Sequence, residues 1–433
     1  MKLLNLDDNG LLRCQNRASH TLVNLGKFKF RNSKPIRGFK ISLIQNIENR
    51  LNATLVLEDG TTFFGEGFGY TGSAAGEIVF NTGMVGYTET LTDPSYRGQL
   101  LCLTYPLVGN YGIPSRERLD EFGIPKFFES KQIQILGLIV NEVSVNGSHK
   151  DCVKSLAEWL YEEGIPGISG VDTRSLTKKL RSKGVMRAAL SVSNQTINRA
   201  RVLKLAKSVN YNDFNFMPEV SVNESTYYGD ATDPPIVLID TGAKYSIIRN
   251  LLNLRYRVIC VPWDITIDRI LSYSPAGVVI SNGPGDPKIC KLTIETAVSL
   301  IDASIPTLGI CLGNQIVALA GGADTYKLKF GHRGQNKACT ETSTNRTYIT
   351  SQNHGYGIDP KSLERTEFEK WFVNADDGTV EGIKHRSKPI IAVQFHPEAS
   401  PGPYDCVYIF EKFKQLVDGN KKDGNKFSDS ENG

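Results

Sequence analysis

The chain has no CxxC pair and no cysteine or histidine spacing suited to a metal ion, although eight cysteines are scattered through its 433 residues. That usage excludes a disulfide framework and a zinc module, and it points to reduced thiols in an intracellular compartment. No apolar run approaches the length of a membrane span. Long basic runs are also missing, the net charge of +4 being spread along the chain, so a nucleic-acid role has little support. No glycine-rich turn runs into Lys-Ser or Lys-Thr, which removes the phosphate-cradling loop. Sequons such as Asn194-Gln195-Thr196 are then accidental. What is present is 40% hydrophobic residues over a length that suits two buried cores.

The most informative segment is GICLGNQ at 309 to 315, where the apolar run PTLGI meets a helix-like LGNQIVALA. Gly309 and Gly313 flank Cys311 at two residues on either side, which permits a sharp strand-to-helix turn and lets the sulfur project from the end of a sheet. Helix-start N–H groups then face the thiol and favour its thiolate. An isolated cysteine is more often a small core hydrophobe. Two further segments tilt the balance. PIIAVQFHPEAS delivers His396 and Glu398 from a strand-like run, and Pro397 places His396 at the strand's end. Cysteine, imidazole and carboxylate supply the nucleophile, base and orienter of acyl transfer. GVVISNGPGDP, at 277 to 287, is an apolar strand entering a glycine-rich turn, whose free N–H groups suit an oxyanion. Its bland reading is an ordinary strand-to-helix loop.

Together these segments resemble the class I, triad-type glutamine amidotransferases. The whole chain is similar to the family of small subunits of glutamine-dependent carbamoyl phosphate synthetase. LVLEDGTTFFGEGFG, GEIVFNTGMVGYTETLTDPSY and GISGVDTR stand in that family's order, followed by KFGHRGQN, SQNHGYGID and HPEASPGP. The match covers roughly residues 51 to 418. It implies Cys311 as the nucleophile towards the side-chain amide of glutamine, His396 as its base and Glu398 as the group that holds the imidazole. It also implies a glutamine pocket at Ser95, Gly283, Gly285, Leu312, Gln315, Asn353, Gly355 and Tyr356, with the N–H groups of Gly283 and Leu312 facing the oxyanion. The implied product is ammonia, passed to a large subunit that uses ATP and Mg with bicarbonate to make carbamoyl phosphate for arginine and pyrimidine synthesis. No cofactor and no metal are expected in this chain itself. The expected assembly is a heterodimer with the large subunit, or several such heterodimers, without nucleic acid or membrane.

Some positions depart from the family's commonest pattern. Asn314 stands where many relatives have histidine, and an asparagine cannot become a cation. Arg333, Gln335, Lys337 and Ala338 differ from a usually histidine- and glycine-rich stretch. Cys311 is present, whereas relatives with serine there lose glutaminase activity. Three alternatives stay open: the amidotransferase subunit of another synthase, a free-standing cysteine hydrolase acting on γ-glutamyl substrates, and a non-catalytic docking or regulatory subunit.

The expected fold class is α/β: a C-terminal amidotransferase-like domain with a mostly parallel sheet flanked by helices, preceded by a smaller α+β domain. Residues 1–50 read as a basic N-terminal extension, disordered or targeting. Residues 51–207 form the first domain, 208–235 a linker rich in Asn, Asp, Ser and Pro, 236–418 the amidotransferase domain, and 419–433 a polar disordered tail. In the first domain Asp59-Gly60 predicts a two-residue hairpin turn, and Trp159 and Tyr161 predict helix packing. Asp172 and Arg174 are a candidate ion pair. From 236 onward strands and helices alternate, so ligands belong beyond the carboxyl ends of the strands. The basic extension favours the plastid stroma, with the cytoplasm as the alternative.

Overall fold

The computed structural model describes residues 4–6, 12–14 and 51–428. The expectations for the basic extension and for the end of the tail therefore lie mostly outside the described residues. Within the extension, Leu4–Leu6 and Leu12–Cys14 pair antiparallel.

The N-terminal half closes a seven-stranded barrel. Around it run Pro166–Ser169, Thr62–Gly69, Leu51–Leu57, Met186–Ser193, Gly72–Asn81, Gln99–Leu103 and Gly137–Ile139, the last returning to the first. Period-2 alternation divides these strands between two apolar clusters. Ile78, Leu100 and Ile139 join Leu176 and Leu180 of the helix Thr173–Lys183, while Val79, Leu101 and Leu138 join Trp159 and Leu160 of the helix Leu156–Glu162. Three local expectations are corrected. The hairpin loop spans residues 58–60: Leu57 N–H donates to Thr61 O, and Gly60, at φ +85, supplies the left-handed residue of a turn with a bulge. Tyr161 stays exposed against Tyr70 while Trp159 is buried. Asp172 caps its helix by accepting from Ser175 N–H and, among the described residues, makes no ion pair with Arg174.

The C-terminal half is built on a ten-stranded sheet. Arg257–Pro262, Pro235–Asp240, Gly277–Ile280, Thr307–Ile310 and Ile390–Val393 are mutually parallel. Both faces are covered. Ile236 and Leu238 pack with Ile247 and Leu251 on one side, whereas Val237 and Ile239 pack with Leu300 and Ile316 on the other. Beyond Ile390–Val393 the sheet continues antiparallel through Val380–His385, Thr347–Ile358, Thr325–Glu341 and Phe368–Asn374. The parallel block is the part that strand and helix alternation announces. The antiparallel block is joined by short connections, except that Thr347–Ile358 and Phe368–Asn374, which lie on either side of Thr325–Glu341, are linked through the short helix Pro360–Leu363.

Residues 208–235 hold the 3-10 turn Tyr211–Asp213, the short helix Met217–Val220 and the strand Thr226–Tyr228, which adds to the sheet edge beside Arg257–Pro262. Tyr211, Phe216 and Met217 are buried there. The helix Tyr408–Ser428 continues past Gly419 into the polar tail.

Candidate active site

Cys311 sits between the strand Thr307–Ile310 and the helix Leu312–Ala320 with φ 55 and ψ −101, a conformation that side chains rarely adopt. Such a backbone costs about 1–3 kcal/mol and persists only when its surroundings over-determine it. Here they do. Cys311 N–H donates to Val393 O at 2.8 Å and Gly313 N–H to Ser281 O at 3.0 Å, which ties the bend to neighbouring strands. A Cβ on Gly313 would lie 2.1 Å from Ile280 O, and one on Gly309 would lie 2.7 Å from Gly313 O. Both glycines are steric requirements of the bend.

His396 lies three residues beyond the end of Ile390–Val393 and is buried. Its Nδ1 is 2.6 Å from Glu398 Oε1. Its Nε2 finds no hydrogen-bond partner of good geometry and faces the Cys311 sulfur. Burial works to lower the His396 pKa, but the charges of Glu398 and Cys311 outweigh it and push the pKa up to about 10. The ring is then an imidazolium at neutral pH. Burial likewise opposes ionisation of Glu398, yet Lys244 and His396 together hold its pKa down to about 2. Lys244, buried at the start of the helix Tyr245–Asn253, places Nζ 3.0 Å from the same Glu398 oxygen and also donates to Ala399 O.

The eight residues implied for a glutamine pocket all line one cavity together with Cys311: Ser95, Gly283, Gly285, Leu312, Gln315, Asn353, Gly355 and Tyr356. His396 lies on the wall of an adjoining cavity, and Asn353 borders both. Ser95 arrives from the barrel on the 3-10 turn Pro94–Tyr96, capped by Asp93, and its hydroxyl accepts from Asn282 Nδ2 at 2.9 Å. Asp93 accepts from Asn353 Nδ2 at 2.9 Å. Gln315 Nε2 donates to Tyr356 O at 3.0 Å, joining the elbow helix to the strand Thr347–Ile358. Among the described residues the N–H groups of Gly283 and Leu312 make no hydrogen bond, so both remain available on the cavity wall.

Residues 55–190 match the family described as carbamoyl-phosphate synthase small chain, CPSase domain, and residues 237–416 match glutamine amidotransferase class-I. The carbamoyl phosphate synthase small chain of Sulfurisphaera tokodaii is 45% identical over 366 residues, covering 84% of this chain and 96% of that one. The chain belongs to this small-chain family. The small chain of Pyrococcus furiosus is 44% identical, covering 85% of this chain and 98% of its own length. The multifunctional protein CAD of Squalus acanthias is 46% identical across 84% of this chain, which spans 16% of that larger protein.

Within this small-chain architecture, sequence reading missed several residues at the site. Lys244 follows a strand in TGAKYS and carried no signal beyond an ordinary surface lysine. Gln394 sits two residues before His396, with Nε2 3.7 Å from the Cys311 sulfur and Oε1 accepting from Asn314 at 3.2 Å and Gln315 at 3.1 Å. Asn314 therefore reaches the sulfur through Gln394. Behind Asn353–Tyr356 the structure also brings together His332, His354 and Glu381, with ligand atoms within 4.8 Å of one another. Each ring already has hydrogen-bond partners: His332 Nδ1 is 3.2 Å from Glu381, and His354 Nδ1 donates to Tyr356 O at 2.8 Å. Burial and the neighbouring His332 hold the His354 pKa well below the usual range, so its ring is neutral.

Proposed function

We propose that this chain hydrolyses glutamine through a γ-glutamyl thioester on Cys311 and delivers the ammonia to a large synthetase subunit. One observation carries the reading: a cysteine on a strained elbow faces a buried imidazole held by a carboxylate and shares its cavity with a complete set of pocket residues. The sulfur attacks the side-chain carbonyl carbon, and the negative charge that develops on oxygen meets the N–H groups of Gly283 and Leu312. The C–N bond breaks as His396 Nε2 gives its proton to the leaving nitrogen, releasing ammonia. Water then adds to the thioester while the now neutral imidazole takes a proton from it, and glutamate leaves with the thiolate restored. Glu398, charged throughout, holds the ring through Nδ1 and stabilises the imidazolium.

The small-chain relationship supports glutamine as substrate and a large subunit as partner. In the assembled enzyme, ATP and Mg act on the partner, and the carbamoyl phosphate made there serves arginine and pyrimidine synthesis; this chain needs no cofactor of its own. Heterodimers, alone or several together, are the assembly we infer. The basic N-terminal composition supports a plastid-stroma location, with the cytoplasm as the alternative, and mass spectrometry of the mature N-terminus separates the two. The decisive test is Cys311→Ser. Glutamine-dependent synthesis by the assembled enzyme should vanish while ammonia-dependent synthesis persists, and full glutaminase activity in that variant would refute the assignment.

A further inference from the structure

Glu129 is fully buried in an irregular segment of the N-terminal half, and the chemistry above gives it no task. A carboxylate taken out of water is costly unless its lone pairs are met, so its partners show what it holds. Among the described residues its side chain is met from the other half of the chain. Oε2 accepts from Ser246 N–H at 3.0 Å and from Ser246 Oγ at 2.6 Å, Oε1 accepts from Ser400 Oγ at 2.6 Å, and Arg249 Nη1 approaches Oε1 at 3.5 Å. The Glu129 backbone carbonyl accepts from Tyr245 N–H at 3.0 Å.

Tyr245 and Ser246 open the helix Tyr245–Asn253, whose N-cap is Lys244. A lysine has no acceptor to offer the first N–H groups, and a cation there opposes the helix dipole. Glu129 supplies from outside the helix what its own start lacks: acceptors for two N–H groups and a carboxylate at the positive end. The Lys244 side chain is left to turn to Glu398. Ser400 works on the other side of that ion pair. It lies two residues after Glu398, and Lys244 Nζ donates to Ala399 O at 3.0 Å and to Ser400 O at 3.3 Å. Ala399 and Ser400 hold φ of 59 and 44, left-handed values that non-glycine residues adopt only with support from their surroundings. The hydrogen bond from Ser400 Oγ to Glu129 gives that support. Glu129 is itself fastened, its N–H donating to Thr92 Oγ1 at 2.9 Å and the neighbouring Ser130 Oγ to Thr92 O at 2.6 Å.

We infer that Glu129 is a positioning residue of the triad: through it the barrel half caps the helix that carries Lys244 and holds the bend that follows Glu398, and so sets where those two side chains meet. This rests on the glutaminase reading and adds a contact that acts on turnover apart from substrate binding, since Glu129 is not on the wall of the cavity that holds the pocket residues.

The test measures glutamine turnover by the full chain bound to a large subunit. Glu129→Gln keeps the shape but turns an amide NH2 towards one of its donors, and it should lower kcat by about 10- to 100-fold while KM changes far less. Ser400→Ala removes a single contact and should lower kcat by about 3- to 10-fold in the same pattern, which keeps the test open if the first variant folds poorly. Asp120→Asn controls for adhesion between the halves, because Asp120 accepts from Arg249 Nε at 2.7 Å and touches neither serine. Its kcat for glutamine should stay as in the wild type. Combined with Lys244→Met, Glu129→Gln should add little further loss, because its effect runs through the lysine; Cys311 labelling rates replace kcat where turnover is too slow. Losses that multiply in the double variant, a loss carried by KM alone, an equal kcat loss in Asp120→Asn, or wild-type kcat in the folded variants would overturn the inference and leave the glutaminase reading standing. A wild-type assembly inert towards glutamine would overturn both.

Discussion

Lys244 Nζ lies 3.0 Å from Glu398 Oε1, the oxygen that also holds His396 Nδ1 at 2.6 Å. One carboxylate oxygen therefore serves two buried cations, and Glu398 keeps its charge because both are there. Lys244→Met should lower stability by about 3–5 kcal/mol, since it strands a buried charge. Urea unfolding measures this loss. The same variant should slow glutamine turnover while ammonia-dependent synthesis is retained; unaltered turnover would show that the imidazole is held well enough without the lysine.

The His396 pKa is raised to about 10 from an ordinary 6.5, and that of Glu398 is lowered to about 2 from 4.5. A raised pKa stabilises the fold fully below the unfolded value, and the contribution fades as pH rises through the folded one. For Glu398 the contribution is full above 4.5 and fades as pH falls towards about 2. The wild type should thus melt above His396→Gln by its widest margin near pH 5 to 6.5, with the margin shrinking towards pH 10. Paired thermal melts across that range check the sign, and a margin that grew with pH would contradict it.

Gly313→Ala puts a methyl group 2.1 Å from Ile280 O, a backbone atom that cannot move aside cheaply. The elbow should open, with a loss of about 1–3 kcal/mol from overpacking. Alkylation of Cys311 by a glutamine-like electrophile should slow by far more than the stability loss alone accounts for. Rates of covalent labelling followed by mass spectrometry provide the readout.

Gln394 couples Asn314 and Gln315 to the Cys311 sulfur. Replacing it with leucine removes a donor to the thiolate and leaves the Asn314 and Gln315 amides short of an acceptor. A loss near 1–3 kcal/mol in stability is expected for such unsatisfied buried groups, together with an approximately tenfold slower labelling of Cys311. Labelling at the wild-type rate would show that Gln394 is packing alone.

The placement of Cys311 at a bend and of His396 at a strand end was legible because each group lies within a few residues of its own structural cue: glycines two positions from the cysteine, and a proline directly after the histidine. The parallel strands were legible for a similar reason, since alternation of strand and helix is a local pattern. Lys244 was not, because its partner Glu398 is remote in sequence and nothing local distinguishes a buried lysine from a solvated one. The His332, His354 and Glu381 cluster was hidden for the same cause, its members coming from three different strands. The closed barrel also escaped, because closure depends on the contact of Gly137–Ile139 with Pro166–Ser169, and neither short strand announces its neighbour.

Ser95 and Asp93 belong to the barrel, while the amides they hold, Asn282 and Asn353, belong to the other half of the chain. A fragment starting at residue 236 would keep the sulfur and the imidazole but would turn those two amides towards bulk water and leave one wall of the cavity unbuilt. The glutaminase half is thus not a detachable cassette, and grafting it onto a foreign synthetase would require carrying the barrel with it.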